Sequence, residues 1–332
     1  MAAHLLHDAA MLPATINYPD NITCIDTEQQ RAGLACCYLM RSGNEYAFIE
    51  CGTSLSIPGL LAVLAKRGIG TDQIAYIMPT HVHLDHAGGA GLLMQHCPNA
   101  KLVIHPRGAR HMVDPTALIA GATAVYGPEA MKVMYGDIVP VEESRVIVAE
   151  DNFRLDFNGR ELLFIDAPGH ARHHYAIWDA QSRGWFTGDT FGLSYRVFDG
   201  QNGPYLLPTT TPVQFEPDAW LKTIGRFMAT DPAYMFLTHY GRVGNVPQLA
   251  ADLRGGIANY QSIALHLADA PERHARLSEA LMLHALEELA AMTAPVTDDV
   301  ARDWLEFDIE LNAQGLGVWL DKQAAKPVAK SA

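Results

Sequence analysis

The sequence predicts an α/β layered fold that carries a helical insertion and ends in an all-helical C-terminal appendage. Up to about residue 245, short apolar runs of strand length alternate with segments whose apolar residues recur at helical spacing. Beyond that point only helical spacing remains. Several of the apolar runs also end in histidine or aspartate, so polar function sits where strands stop.

The elements follow in order. Residues 22–25 and 35–40 are apolar runs, and the turn Arg41-Ser42-Gly43-Asn44-Glu45 leads into a third run at 46–51, which makes a hairpin. Residues 58–67 have helical spacing and stop at Gly68. Residues 74–78 read as a buried strand, followed at once by Pro79-Thr80 and a histidine cluster. Gly88-Gly89-Ala90-Gly91 opens a helix to about His96, and 101–105 is the next strand. Residues 106–140, rich in Ala, Met and Gly, read as an insertion with helices at 107–113 and 128–135. Strands resume at 146–149, 153–157 and 162–166, with Asn158-Gly159 as a two-residue hairpin turn. A further pair spans 175–179 and 184–187. Residues 199–217, with four prolines and three threonines, form an extended loop. A helix at 218–230, a strand at 234–237, and helices at about 247–268, 271–292 and 297–312 complete the chain. The expected division is 1–245 and 246–332.

Composition narrows the function classes. With 49% hydrophobic and 18% charged residues, the chain is globular. A net charge of -13 repels nucleic acid and anionic lipid, so neither is an expected partner; it says nothing positive about the substrate, which is expected to be a small molecule. The five cysteines include no CxxC pair and sit in apolar runs, as free thiols of a reducing compartment do. The N-terminus has no basic region followed by a long apolar one, and no stretch reaches 18 apolar residues. A soluble, cytoplasmic protein is expected.

The chemistry is concentrated in Thr80-His81-Val82-His83-Leu84-Asp85-His86-Ala87-Gly88-Gly89. Imidazole and carboxylate suit Zn²⁺, Fe or Mn²⁺. The alternation of His81 and His83 points both rings to one side of an extended segment. His86, entering the following helix, approaches from another direction, a geometry suited to two adjacent metals. Three later strand ends repeat the theme: Ala167-Pro168-Gly169-His170, Thr187-Gly188-Asp189-Thr190 and Leu237-Thr238-His239-Tyr240-Gly241.

These motifs, in this order, resemble the metallo-β-lactamase superfamily over about residues 21–245, and within it the glyoxalase II-like thioesterases. The resemblance implies a four-layer αββα sandwich whose metals lie at one edge of two sheets, with 1–245 as the catalytic domain. It implies that His81, His83 and His170 hold one divalent ion, that Asp85, His86 and His239 hold the other, and that Asp189 bridges. Zinc is the first expectation, with iron or manganese as alternatives. There are departures. Asp189 stands where one subclass of zinc β-lactamases has cysteine, and Gly192 stands where acyl-homoserine lactonases have tyrosine. The spacing from His86 to His170 is 84 residues (170 − 86), which the insertion explains. No glutathione-binding basic motif is found in the helical tail, and no flavodoxin-like repeat follows residue 245.

The expected reaction is hydrolysis of an ester, thioester or lactone by a metal-bridging hydroxide, with Asp85 and Asp189 as the catalytic carboxylates. An iron-dependent oxidoreductase resembling persulfide dioxygenases is the alternative, as are β-lactam or phosphodiester hydrolysis on the same site. Tyr195, Arg196 and Tyr240 are candidate substrate contacts, and His174 a candidate support behind the ligands. His105, His111 and His173 are weaker candidates. His4, His7, His266, His274 and His284 read as ordinary surface or helix residues. Met112, Met131, Met134, Phe191, Tyr205 and Phe215 are expected to give an apolar pocket walled by the insertion, the proline-rich loop and the tail. Leu277, Leu281, Leu286, Leu289, Trp304, Leu305 and Ile309 form a helical stripe that covers the core or makes a homodimer contact.

Overall fold

The computed structural model describes residues 12–325. His4, His7 and most of the N-terminal stretch read above as carrying no signal peptide lie outside those residues. The first sheet holds, in chain order and as neighbours, β1 (Thr15–Tyr18), β2 (Ile22–Asp26), β3 (Cys36–Ser42), β4 (Glu45–Ile49), β5 (Ile74–Met78), β6 (Lys101–Ile104) and β7 (Val146–Val148). β1 to β4 form an antiparallel meander, and β4 to β7 run parallel. Parallel neighbours need crossovers, and helices supply them. α1 (Ile57–Lys66) joins β4 to β5, and α2 (Leu84–Ala87) with α3 (Ala90–His96) joins β5 to β6. α4 (Pro106–Val113), α5 (Thr116–Tyr126) and α6 (Pro128–Tyr135) lie between β6 and β7.

The second sheet holds β8 (Phe153–Phe157), β9 (Arg160–Asp166), β10 (Tyr175–Asp179), β11 (Gly184–Gly188), β12 (Tyr234–Leu237) and β13 (Gly241–Val243), again as successive neighbours. Only β11 and β12 pair in parallel, and α7 (Pro217–Met228) makes their crossover. α8 (Val246–His266), α9 (Arg273–Ala291) and α10 (Asp298–Ala324) end the described chain.

Strand periodicity of two places each side chain in one of three stacked cores. Along β3, Cys36, Tyr38 and Met40 face the second sheet, while Cys37 and Leu39 pack with Leu60 of α1 and Leu93 of α3. Along β10, Tyr175 and Ile177 face the first sheet, and Ala176 joins Trp220 and Ile224 of α7 on the outer side. Two sheets face to face with helices outside both is the four-layer αββα sandwich. Phe186 and Phe236 stack across the central core with centroids 4.5 Å apart, and full burial of each stabilises by roughly 1.5–3 kcal/mol. The five cysteines are buried and unpaired.

Most expected elements form within a residue or two of their predicted ends. Four differences have physical causes. The edge strands β1 and β13 are too short to carry a pattern. α5 was missed because none of its residues is buried in a core, so it shows no core-facing stripe. α10 runs on to Ala324 through Gly315, where a Cβ would fall 1.4 Å from the Thr210 carbonyl oxygen; that glycine serves helix–loop contact, not a stop. Finally, six of the seven stripe residues on α9 and α10 are buried in the core shared with the second sheet, and Trp304 packs at its margin. No helix among the described residues is long and apolar enough to cross a membrane.

Candidate metal centre

Strand direction brings the candidate ligands together. β4 and β5 run parallel in one sheet, and β9, β11 and β12 share a direction in the other. Their C-terminal ends meet at one rim, where the Tyr175 amide donates to the Thr80 carbonyl at 3.0 Å and joins the sheets. His81 and His83 follow β5, Asp85 and His86 sit in α2, His170 follows β9, Asp189 follows β11, and His239 follows β12. Gly188, at φ +48°, makes the last turn into Asp189; a Cβ there would lie 2.3 Å from Thr80 Oγ1 and 2.5 Å from His174 Nε2.

The seven side chains form two groups. In the first, ligand atoms of His81, His83, His170 and Asp189 lie within 4.8 Å of one another; in the second, those of Asp85, His86 and His239 do. His83 Nδ1 is 2.8 Å from His81 Nε2 and 3.1 Å from His170 Nε2. Zn–N bonds of 2.0–2.1 Å place tetrahedral ligand nitrogens about 3.3 Å apart, so the trio is close to coordination geometry. Asp189 reaches both groups. Its Oδ2 is 3.4 Å from His170 Nε2, and its Oδ1 is 3.3 Å from His86 Nε2 and 3.8 Å from His239 Nε2. Asp85 Oδ2 is 3.5 Å from His86 Nε2 and 3.3 Å from His239 Nε2. His86 Nε2 and Asp189 Oδ1 are buried without any hydrogen-bond partner. Buried polar atoms are almost always satisfied, and a cation between these two groups would satisfy both.

Outer partners set the tautomers. His81 Nδ1 lies 3.1 Å from Thr80 Oγ1, which itself donates to Glu50, so the ring nitrogen is the donor. His86 Nδ1 donates to Glu50 Oε1 at 3.1 Å, and His239 Nδ1 to the Leu34 carbonyl at 2.8 Å. Beside His170 Nδ1 stand Thr211 Oγ1 at 2.9 Å and the Thr209 carbonyl at 3.3 Å. Each Nδ1 is thereby engaged on the outside, and each of these rings turns its Nε2 towards the centre. Glu50 was not recognised in the sequence. It is a buried carboxylate at φ +63°, just past β4, and it also accepts from the Thr80 amide at 3.0 Å and Thr238 Oγ1 at 3.0 Å. The available signal was a single acid closing the apolar run 46–51.

Electrostatics divides the groups. Burial pushes His81 and His83 well below the ordinary imidazole range, and neighbouring histidines add to it. Burial also lowers His170 against the pull of Asp189. These three rings are neutral, the state a metal ligand requires. In the second group burial is outweighed. Asp189, Asp85 and Glu50 carry His86 well above its usual value, and the hydrogen bond to Asp85 with the charge of Asp189 lifts His239 to about 9. Burial opposes ionisation of Asp85 and Asp189, but the histidines beside them hold both below the carboxylate range. His174 supports from behind, as expected: its ring stacks on His81 at 4.6 Å and its Nε2 accepts the Asp189 amide at 3.3 Å.

A cavity of about 470 Å³ opens from this centre. The insertion, the proline-rich loop and the tail all wall it, as expected, but through other residues. Its apolar lining comes from Leu118, Val125, Tyr126, Trp304, Phe307 and Leu311. Met112, Met131, Phe191, Tyr205 and Phe215 are instead buried in cores, and Met134 packs beside Met131. Residue type alone does not tell which way a side chain turns. Of the proposed contacts, Tyr195 lines the cavity and donates to Asp308 at 2.8 Å. Arg196 turns to Ser194 and Asp199, and Tyr240 packs in the inter-sheet core, so neither lines it. His111 and His173 do line it, whereas His105 caps α4 and meets Asp166 at 3.0 Å. Asp308 was not foreseen, because it stands on the tail, far in sequence from every motif.

The chain is similar to known proteins on the same footing. The sequence profile of the metallo-beta-lactamase superfamily matches residues 32–239. A metallo-beta-lactamase fold-containing protein of Sulfurisphaera tokodaii is 27% identical over 214 residues, covering 63% of this chain and 74% of that protein. A hydroxyacylglutathione hydrolase of Shewanella baltica is 28% identical over 179 residues, 50% of this chain and 56% of the relative. The crystal structure of a beta-lactamase domain protein from Burkholderia ambifaria superposes with a TM-score of 0.63 at 16% identity, covering 96% of this chain and 92% of that one. The shared fold thus extends through the C-terminal helices.

Proposed function

The chain belongs to the metallo-beta-lactamase superfamily, and from that premise we propose that it is a two-metal hydrolase of ester, thioester or lactone bonds. The observation that carries this reading is Asp189, whose two oxygens face two separate ligand groups while its Oδ1 and His86 Nε2 are buried without a hydrogen-bond partner. His81, His83 and His170 would hold one ion and Asp85, His86 and His239 the other, with zinc the first choice. Bound there, two divalent ions supply Lewis acidity and a water that ionises near neutral pH.

The chain's own residues do the rest. Neutral His81, His83 and His170 present lone pairs without needing to lose protons. Asp85 keeps 21% of its side chain exposed to the cavity, so it can take a proton from the attacking water. Tyr195, held by Asp308, presents a polar contact on the tail side of the cavity. No G-x-S-x-G elbow occurs in the sequence, so attack by water without an acyl-enzyme follows. The likeness to a hydroxyacylglutathione hydrolase supports thioesters among the substrates to try.

The test is elemental analysis of protein purified without chelator, followed by thioester, lactone, phosphodiester and β-lactam panels in ¹⁸O-water. We expect two divalent ions per chain, preference for thioesters or lactones, and one ¹⁸O in the acid product. A single iron with dioxygen consumed in step with product would replace this reading by the oxidoreductase one.

A further inference from the structure

The cavity continues past the candidate ligands into a slot between α5 and α10. Leu118, Ala122 and Tyr126 stand at four-residue spacing on α5, and Phe307 and Leu311 do so on α10. Tyr126 and Phe307 close the roof with rings stacked 6.2 Å apart. The lining positions on α5 run from 117 to 126, nine steps of about 1.5 Å, so the slot is about 13 Å long. None of α5 is buried in a core, although most of its residues are apolar. Leu118, Ala122 and Tyr126 pack on one side against the small core of Leu84, Met131 and Tyr135 yet stay half-buried, and they also line the slot, where apolar surface favours an apolar occupant.

Gly121 is a second, independent observation. It lies in the middle of α5 and lines the slot, and a Cβ built on it meets nothing within 4 Å. Glycine weakens a helix interior, and here it serves neither a turn nor a close approach. Its effect is to keep the slot open.

Charge selects what enters. Among the described residues, the one Lys or Arg lining the cavity is Arg31, and it is already held by Asp303 at 2.7 Å and lies over Trp304 at 5.0 Å. His111 and His173 line the cavity as imidazoles, not as fixed cations. Asp308 adds a carboxyl. A carboxylate or phosphate reaching away from the candidate ligands would find no spare Lys or Arg among the described lining residues.

We propose that the substrate's acyl part is a neutral, apolar chain of medium length, seated between α5 and α10. This rests on the hydrolase reading above and narrows it, disfavouring acyl groups that carry charge beyond the scissile bond.

The experiment uses the metal-loaded full chain with p-nitrophenyl acetate, butanoate, hexanoate and decanoate, and the mono-succinate as an anionic control. In parallel, decanamide, which is neutral and slow to hydrolyse, is titrated by calorimetry into wild-type and Gly121→Phe protein. We expect kcat/KM to climb by up to about fourfold per methylene, with the succinate below the butanoate. Gly121→Phe, and the smaller plug Gly121→Leu, should lower the decanoate-to-acetate ratio at least tenfold and abolish decanamide binding, with Tm retained. A flat chain-length series, a preference for succinate, or plugged variants that keep the ratio and the binding would each overturn the proposal. Decanamide binding that Gly121→Phe removes, with no ester hydrolysed, would sink the hydrolase reading and leave the slot standing.

Discussion

Replacing Glu50 separates the support of the metal centre from its ligands. The carboxylate accepts from the Thr80 amide, Thr80 Oγ1, His86 Nδ1 and Thr238 Oγ1, at 2.6–3.1 Å. In Glu50→Ala the two hydroxyls can turn to other acceptors, but the Thr80 N–H and His86 Nδ1–H cannot. Each orphaned donor costs about 1–3 kcal/mol, so the loss is about 2–6 kcal/mol. At about 2 °C per kcal/mol for a chain of this size, Tm falls by roughly 4–12 °C. Affinity for the ion held by His86 should drop about 10–100-fold, because the ring loses the contact that aims its Nε2. Glu50→Gln keeps an oxygen towards His86 and turns an amide group on the Thr80 N–H, so it should cost about half as much. Glu50→Gly deletes the same acceptors as alanine but takes φ +63° freely, and should be about 1 kcal/mol less harmful than alanine. Thermal melts of the metal-free variants and chelator competition on the loaded ones read both quantities. An alanine variant with parental Tm and metal affinity, or an order in which glycine is worse than alanine, would refute the reasoning.

Three further outcomes are expected. Asp189→Ala should abolish turnover and weaken both ions, since it removes the one carboxylate that faces both groups; elemental analysis and activity decide, and near-normal values would sink the bridging role. In the metal-free protein His239 is raised to about 9, so the stability it contributes is present below the ordinary imidazole value and lost as pH rises through 9; metal must displace that proton, so loading at pH 7.5 should release protons and apparent affinity should climb towards pH 9, by calorimetry in buffers of different ionisation heat. Arg160 and Asp179 form a buried pair at 3.0 and 2.5 Å, and Arg160→Ala, which removes the counter-charge and leaves the buried carboxylate only its contacts with Ser182 and Gln181, should cost about 3–5 kcal/mol in denaturant unfolding, more than Arg160→Ala together with Asp179→Ala.

The sequence carried the chemistry of the candidate ligands because that chemistry is local. His81, His83, Asp85 and His86 fall within six residues just after β5, and His170, Asp189 and His239 each follow an apolar run, so strand periodicity and residue type suffice to mark them. The layer order was legible for the same reason. Alternation on β3 and β10 and helical spacing on α1 and α7 each report a buried face.

What reaches across the chain was not legible. Glu50 meets Thr238 at a separation of 188 residues, and His239 meets Leu34 at 205. Nothing near Glu50 in sequence distinguishes its carboxylate from any other acid at a strand end. The cavity was misread in its detail for a related reason. Methionine and phenylalanine satisfy a core and a pocket equally well, and only the docking of α5 and α10 decides that Phe307 and Tyr126 face the slot while Phe191 and Met112 do not. The sequence by itself determined the ligand types, the strands that end in them and the helical character of the tail, since these depend on neighbours along the chain. Tertiary structure alone decided that the tail's Asp308, Trp304 and Phe307 belong to the cavity at the candidate metal centre, because which helix face meets which rim depends on packing between segments far apart in sequence.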